Sequence, residues 1–263
     1  MKKIWLHIGM HRASSTSCQI AFNYLMSKTN ARTLFYYPST GISEKQSAYG
    51  HNSLVSNERI INPELFDELL VELSRVPEDI PILLSAEEFW SLCPVDLIER
   101  LKGFHINVVV FNREYYGWLF SIWSLLMSTS DIFYNPYDFI LQALENVKEC
   151  RDKGSISFYD KELVLKRWCE TVGRNAFFQI DFPQKIPHCE ILDHMLPTGY
   201  PAAWRTIDIS ENNSPTIDSI LLRHNRSLLR DDSRIEEKID KLQGISGIEF
   251  PFLNLKTVEF LRI

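Results

Sequence analysis

Short, nearly unbroken apolar runs alternate along the first half of the chain with longer segments whose apolar positions recur at helical spacing. Ile4-Trp5-Leu6-His7-Ile8-Gly9, Ile82-Leu83-Leu84 and Ile106-Asn107-Val108-Val109-Val110-Phe111 are of the first kind. Such runs suit strands buried on both faces, where no polar alternation is needed. The pattern predicts strands at 4–9, 34–37, 81–85, 106–111 and 177–181. It predicts helices at 15–28, 63–75, 94–101, 115–129, 136–150 and 160–172. Strand and helix in alternation imply an α/β fold with a parallel sheet covered by helices on both faces. Past Tyr134 the pattern becomes mostly helical. A Pro-rich span, Phe182 to Pro201, then leads to helices expected at 215–228 and 231–242 and an apolar end, Ile248 to Ile263.

The first strand runs into a hydroxyl-rich turn, Met10-His11-Arg12-Ala13-Ser14-Ser15-Thr16-Ser17, before Cys18 and Gln19 continue the helix. The opening N–H groups of a helix lack intrahelical acceptors and lie at the positive end of its dipole, so this turn is a candidate anion cradle. Arg12 brings a fixed charge and a planar fork of donors, and Ser15, Thr16 and Ser17 bring hydroxyls. No Gly-Lys-Ser/Thr follows Gly9 at the Walker A spacing. The segment also reads as an ordinary strand–turn–helix capped by a serine.

A second segment decides between the two. The strand ending at Phe111 is followed by Asn112-Arg113, and Ser121 lies eight residues beyond Arg113 on the next predicted helix. Arg113 is then at a strand's carboxyl end, where open α/β sheets bind ligands, and Arg113 and Ser121 are expected to converge on one phosphate.

These residues resemble the sulfotransferases that use 3′-phosphoadenosine-5′-phosphosulfate (PAPS), in particular their bacterial, carbohydrate-directed branch. His7 through Gln19 follow that family's first loop, and Arg113 with Ser121 matches its second motif. Weaker echoes are His51-Asn52, Ser85-Ala86-Glu87-Glu88-Phe89, and a late block from Leu163 to Phe182 around Trp168-Cys169-Glu170. The resemblance covers roughly residues 1 to 230. It implies a P-loop-like three-layer fold in a single domain over 1–263, with a nucleotide-binding core at 1–130 and a helical, acceptor-side extension at 131–263. It further implies PAPS as co-substrate, with no metal, bound by Gly9, Arg12, Ala13, Ser14, Ser15, Thr16, Ser17, Arg113 and Ser121. The acceptor it implies is a hydroxyl of a saccharide or glycolipid.

Two departures bear on the loop. Ala13-Ser14 replaces the usual Thr-Gly, so the turn at Ser14 lacks the residue that reaches positive φ without steric cost, and a distorted cradle is the expectation. Arg12 stands for the commoner Lys, keeping the charge and gaining bidentate reach. No Gly-x-x-Gly-x-x-Lys segment occurs late in the chain.

Sulfuryl transfer asks the protein for a cationic cradle on the leaving phosphate and a base at the acceptor hydroxyl. Arg12 suits the first task. Glu87, past the end of the third predicted strand, and His51, in a Gly/Ser-flanked loop where a near-neutral pKa is expected, are candidates for the second, with Glu88 behind them. Glu87 is preferred, and His7 and His11 read as structural. Loop aromatics Tyr36, Tyr37, Tyr49, Trp90 and Trp123 are candidate stacking surfaces for sugars. Asn212-Asn213-Ser214-Pro215 starts a helix carrying Arg223, His224 and Arg226, read as a solvated surface helix or as groups closing over the ligand.

Composition narrows the remaining classes. With 263 residues, 45% hydrophobic, the chain can bury a large core. A formal charge of −6 argues against general nucleic-acid binding. Five scattered cysteines suggest neither a disulfide framework nor a zinc site. His7 interrupts the first apolar run too early for a secretory leader, and no stretch approaches bilayer-spanning length, so a soluble, cytoplasmic protein is expected. Two other readings stay open: a non-catalytic binding protein of P-loop fold, and an ATP-dependent P-loop phosphotransferase. The absence of an Asp for a metal at the end of the strand before Arg113 weighs against the latter.

Overall fold

The computed structural model describes residues 1–43, 49–56, 58–129, 135–182 and 186–207. In chain order the main elements are β1 (Lys3–Ile8), α1 (Ser15–Lys28), α2 (Pro63–Ser74), β2 (Ile82–Ala86), α3 (Pro94–Arg100) and β3 (His105–Asn112). They continue with α4 (Tyr115–Thr129), α5 (Pro136–Asp152), α6 (Lys161–Val172), β4 (Phe177–Asp181) and α7 (Pro187–Met195). The chain divides into two compact units. One comprises Met1–Glu114 and Gly154–Asn212, the other Tyr115–Lys153 and Asn213–Ile263.

The first unit is built on one parallel sheet of order β2-β1-β3-β4. Ile4 pairs with Ile82 on one side and Ile106 on the other, and Val108 pairs with Phe177. All of β2 and every residue of β1 after Lys3 are buried, as the unbroken apolar runs require of strands covered on both faces. The chain leaves β1 toward β2, returns past β1 to β3, and moves outward to β4. Right-handed crossovers then put α1 and α2 on one face and α3 and α6 on the other. In agreement, α1 packs with α7 and α3 with α6. Connections from β1 and β3 depart in opposite directions, so the crevice at their carboxyl ends is the topological switch point of the sheet.

Helix starts follow local chemistry. The side chains of Asn62 and Asp160 accept from the backbone N–H of Leu65 and Leu163, at 3.3 and 3.2 Å, and Pro63, Pro94 and Pro187 occupy first-turn positions where no N–H is missed. In the second unit Asn135 caps α5 through the N–H of Tyr137 at 2.8 Å. There Trp123 and Met127 form a small core with Phe120 and Phe139.

Two expectations need correction. Residues 34–37 form no strand; Tyr36 makes a single parallel bridge to Ile82. Pro38 cannot donate to a ladder, and farther along the same edge the backbone and ring of His51 take the N–H and C=O of Ser85. Conversely, the Pro-rich span contains α7. Pro187 opens a helix there rather than preventing one, and Ile191, Leu192 and Met195 are buried. The helices expected at 215–228 and 231–242 and the apolar end lie outside the described residues, as do Arg223, His224 and Arg226. No helix among the described residues is long and apolar enough to cross a membrane, and the five cysteines are free thiols.

Candidate active site

The turn between β1 and α1 is tied at both ends. Gly9 donates its N–H to the carbonyl of Ala86 at 2.9 Å, joining the turn to the end of β2, and Ala13 N–H closes on Met10 C=O at 3.0 Å. A Cβ on Gly9 would stand 2.7 Å from Ser15 Oγ and 3.0 Å from Glu87 Cα, so only glycine allows this approach. Ser14 lies in the left-handed region with φ 63°, at the position where the sequence suggested that a glycine was missing, and Arg12 shares that φ. The turn therefore keeps its shape with non-glycine residues and carries the strain. Ser14 makes no side-chain cap bond, which leaves the first-turn N–H groups of α1 facing outward from the helix end. Ser15 is buried, its hydroxyl directed to Met10 C=O in a long 3.4 Å contact, whereas Thr16 and Ser17 are half-buried.

Arg113 follows β3 and donates from Nη1 to the carbonyl of Arg12 at 2.6 Å, with its guanidinium 4.8 Å from the centre of the Phe182 ring. The two predicted motifs, a hundred residues apart, thus meet at the switch point. Burial lowers the pKa of both arginines; the charge of Arg12 lowers Arg113 further, while Glu87 partly offsets the effect on Arg12. Sequence reasoning missed a third cation. Lys161, the first residue of α6, donates from Nζ to Asn112 Oδ1 at 2.9 Å and to Arg113 C=O at 2.8 Å. A lysine in a first helical turn opposes the dipole, and that mismatch was the available signal.

Glu87 is anchored by its backbone N–H to Asn52 Oδ1 at 2.9 Å, and its carboxylate meets His11 Nδ1 at 3.1 Å. Burial alone would lower the pKa of His11, but the hydrogen bond and the charges of Glu87 and Glu88 more than offset it and raise it above its ordinary value. Reading His11 as structural therefore needs revision, because it pairs with the candidate base. Nothing local in the sequence announces a partner 76 positions away.

His51 occupies a different setting from the one expected. It is wholly buried. Its Nε2 donates to Pro38 C=O at 3.0 Å and its Nδ1 accepts the N–H of Ser85 at 3.1 Å, a pattern that a single neutral tautomer satisfies. Burial pushes its pKa down to about 4, against the raising effect of its backbone partners. With both ring nitrogens engaged, His51 has no lone pair for a substrate proton, and its near-neutral pKa is corrected. Together His51 and Asn52 clamp the end of β2 and set Glu87 in place. His7 is likewise buried, its Nδ1 2.8 Å from Ser85 Oγ, and burial pushes its pKa down to about 3. Gln19 reaches the same hydroxyl at 3.2 Å.

Gly9, Arg12 to Ser17, Glu87 and Arg113 thus gather at one end of the sheet. Ser121 is buried on α4, in the second unit. Of the proposed sugar-stacking aromatics, Tyr37 and Trp123 are core residues, and Tyr36 donates its hydroxyl to Glu72 at 2.8 Å. Trp90, also buried, forms part of a cavity wall.

No protein-family model matches the sequence, and no curated protein does. Among solved structures the chain is similar to a sulfotransferase from Alicyclobacillus acidocaldarius, at 13% identity and a TM-score of 0.47 over 90% of this chain and 96% of that one. It is also similar to mouse sulfotransferase SULT7A1 complexed with PAP, at 14% identity and a TM-score of 0.36 over 86% and 64%. A third similar structure is retinol dehydratase in complex with androsterone and inactive cofactor PAP, at 14% identity and a TM-score of 0.34 over 86% and 65%. The chain spans just under two thirds of the length of the latter two.

Proposed function

We propose that the protein is a PAPS-dependent sulfotransferase that transfers a sulfuryl group to a hydroxyl of a saccharide or glycolipid. The observation that carries this reading is the 2.6 Å bond from Arg113 to the carbonyl of Arg12, which joins two cationic motifs across the switch point of a parallel sheet. Outward N–H groups, the Thr16 and Ser17 hydroxyls and two guanidinium groups suit a doubly phosphorylated nucleotide. Gly9 lets the backbone approach it.

In the proposed reaction the acceptor oxygen attacks sulfur, the bond from sulfur to the 5′-phosphate oxygen breaks, and the hydroxyl proton passes to Glu87. Charge grows on the departing phosphate, where Arg12 and the helix N-terminus stabilise the transition state more than the ground state. His11 orients the Glu87 carboxylate from 3.1 Å. Arg113 is assigned to the 3′-phosphate.

The direct test is calorimetric titration with 3′-phosphoadenosine-5′-phosphate (PAP), with ATP in Mg²⁺ as control. Micromolar or tighter binding of PAP is expected, weakened about tenfold or more in Arg113→Ala, as loss of a charge-assisted contact predicts. A preference for Mg²⁺-ATP would favour phosphoryl transfer instead.

A further inference from the structure

The first unit contains a cavity of about 260 Å³ whose walls include Arg59, Trp90, Phe158, Arg167 and Trp168. It lies beside the proposed base. The ring of Phe158 stands 5.3 Å from that of His11, which holds Glu87, and the carbonyl of Phe158 accepts the indole N–H of Trp90 at 3.1 Å. Arg59 lines the cavity, and its positive charge lowers the pKa of both His11 and Tyr159.

The polar groups in these walls are unusual. Among the described residues neither Arg59 nor Arg167 pairs with a carboxylate, although acidic residues outnumber basic ones by 34 to 28 over the whole chain. The indole Nε1 of Trp168 is buried and has no hydrogen-bond partner among the described residues. Arg59 is also held at φ 62°, so its backbone is strained where it presents the side chain. Guanidinium forks match carboxylate and sulfate oxygens, and indole and phenyl walls suit the apolar face of a ring. The volume, slightly below the range of about 300 to 1,000 Å³ usual for small-molecule sites, is that of one ring rather than an extended chain.

We propose that this cavity binds the anionic group, carboxylate or sulfate ester, of an acidic sugar ring in the acceptor, with Arg59 and Arg167 as its specificity-determining residues. The site rests on the sulfuryl-transfer reading only for its role as acceptor site; its preference for an acidic sugar is measured without PAPS. The substrate class becomes an acidic saccharide rather than saccharides at large.

The test is calorimetric titration of the full chain with a glucuronate-terminated disaccharide, its glucose-terminated counterpart, and the latter carrying a 6-sulfate. Titration with PAP runs in parallel. The wild type is expected to bind at least one acidic sugar about tenfold or more tightly than the neutral one, as a charge-assisted hydrogen bond predicts. Which acid binds distinguishes carboxylate from sulfate. The Arg59→Gln/Arg167→Gln double variant, shown folded by its thermal melt, is expected to lose that preference; if it does not fold, the exposed Arg167→Gln alone is expected to reduce it. Equal affinity for acidic and neutral sugars, or a preference unchanged in the folded variants, overturns the proposal. An acidic preference without PAP binding keeps the site and removes the sulfuryl-transfer reading.

Discussion

At the scale of single residues, the turn after β1 shows how one sequence departure is absorbed. Ser14 occupies φ 63°, where a non-glycine residue incurs about 1–2 kcal/mol. Ser14→Gly removes that strain but gives back part of it as chain entropy lost on folding. The variant is expected to be more stable by about 0.5–1 kcal/mol, checked by chemical denaturation; an unchanged or lowered midpoint would mean that the turn relaxes by another route. The dyad makes a second prediction. Glu87→Gln is expected to lower kcat by about 10²-fold or more, the range of a lost general base, and His11→Ala by about tenfold through misorientation. Because the folded pKa of His11 is raised, its contribution to stability is complete below its unfolded value near 6.5. It is lost as pH rises through the higher folded value. The melting temperatures of the wild type and His11→Ala are therefore expected to differ most below pH 6 and to converge in alkaline solution.

At the scale of elements, long-range hydrogen bonds decide where the edges of the sheet end and how helices meet loops. Glu72 on α2 illustrates this. Its Oε1 accepts from Tyr36 Oη and Ser39 N–H, both at 2.8 Å, and its Oε2 from Thr40 N–H at 2.9 Å. Burial alone would raise its pKa, but these donors from Thr40, Ser39 and Tyr36 hold it down to about 2. A depressed carboxylate contributes stability above its unfolded pKa, near 4.5, and loses it as pH falls toward 2. The side chain is half-exposed, so solvent screening reduces the effect, and Glu72→Gln is expected to cost about 1–2 kcal/mol at neutral pH. Melts from pH 7 down to pH 2 should show the two proteins converging; a constant gap would assign the loss to packing. Most element boundaries were legible beforehand because caps and periodicity are local: Ser15–Lys28 was anticipated residue for residue. The missed cases were not local. Residues 34–37 have strand-like composition but lose their edge to His51, and α7 hides in a Pro-rich span because its first proline is compatible with a helix start.

For the molecule as a whole, the α/β class, the parallel sheet and the two cationic motifs follow from local pattern, since unbroken apolar runs, strand ends and helix caps are written within a few consecutive residues. That Arg12 and Arg113 meet is a consequence of strand order, which puts β1 and β3 side by side at the switch point. Tertiary packing alone selected between chemically equivalent candidates. A loop histidine and a neighbouring loop histidine look alike in sequence, yet His51 is buried between backbone groups and loses its basicity, whereas His11 faces Glu87 and gains it. The same holds for cations. Nothing in the chain separates Arg59 and Arg167 from other surface charges, and only a mismatch with the helix dipole marks Lys161, until the fold brings the last to the end of β3 and the other two into one cavity. The physical reason is one of range: propensity and periodicity act over a turn or a strand, whereas burial, pairing and pKa depend on neighbours that only the folded chain supplies.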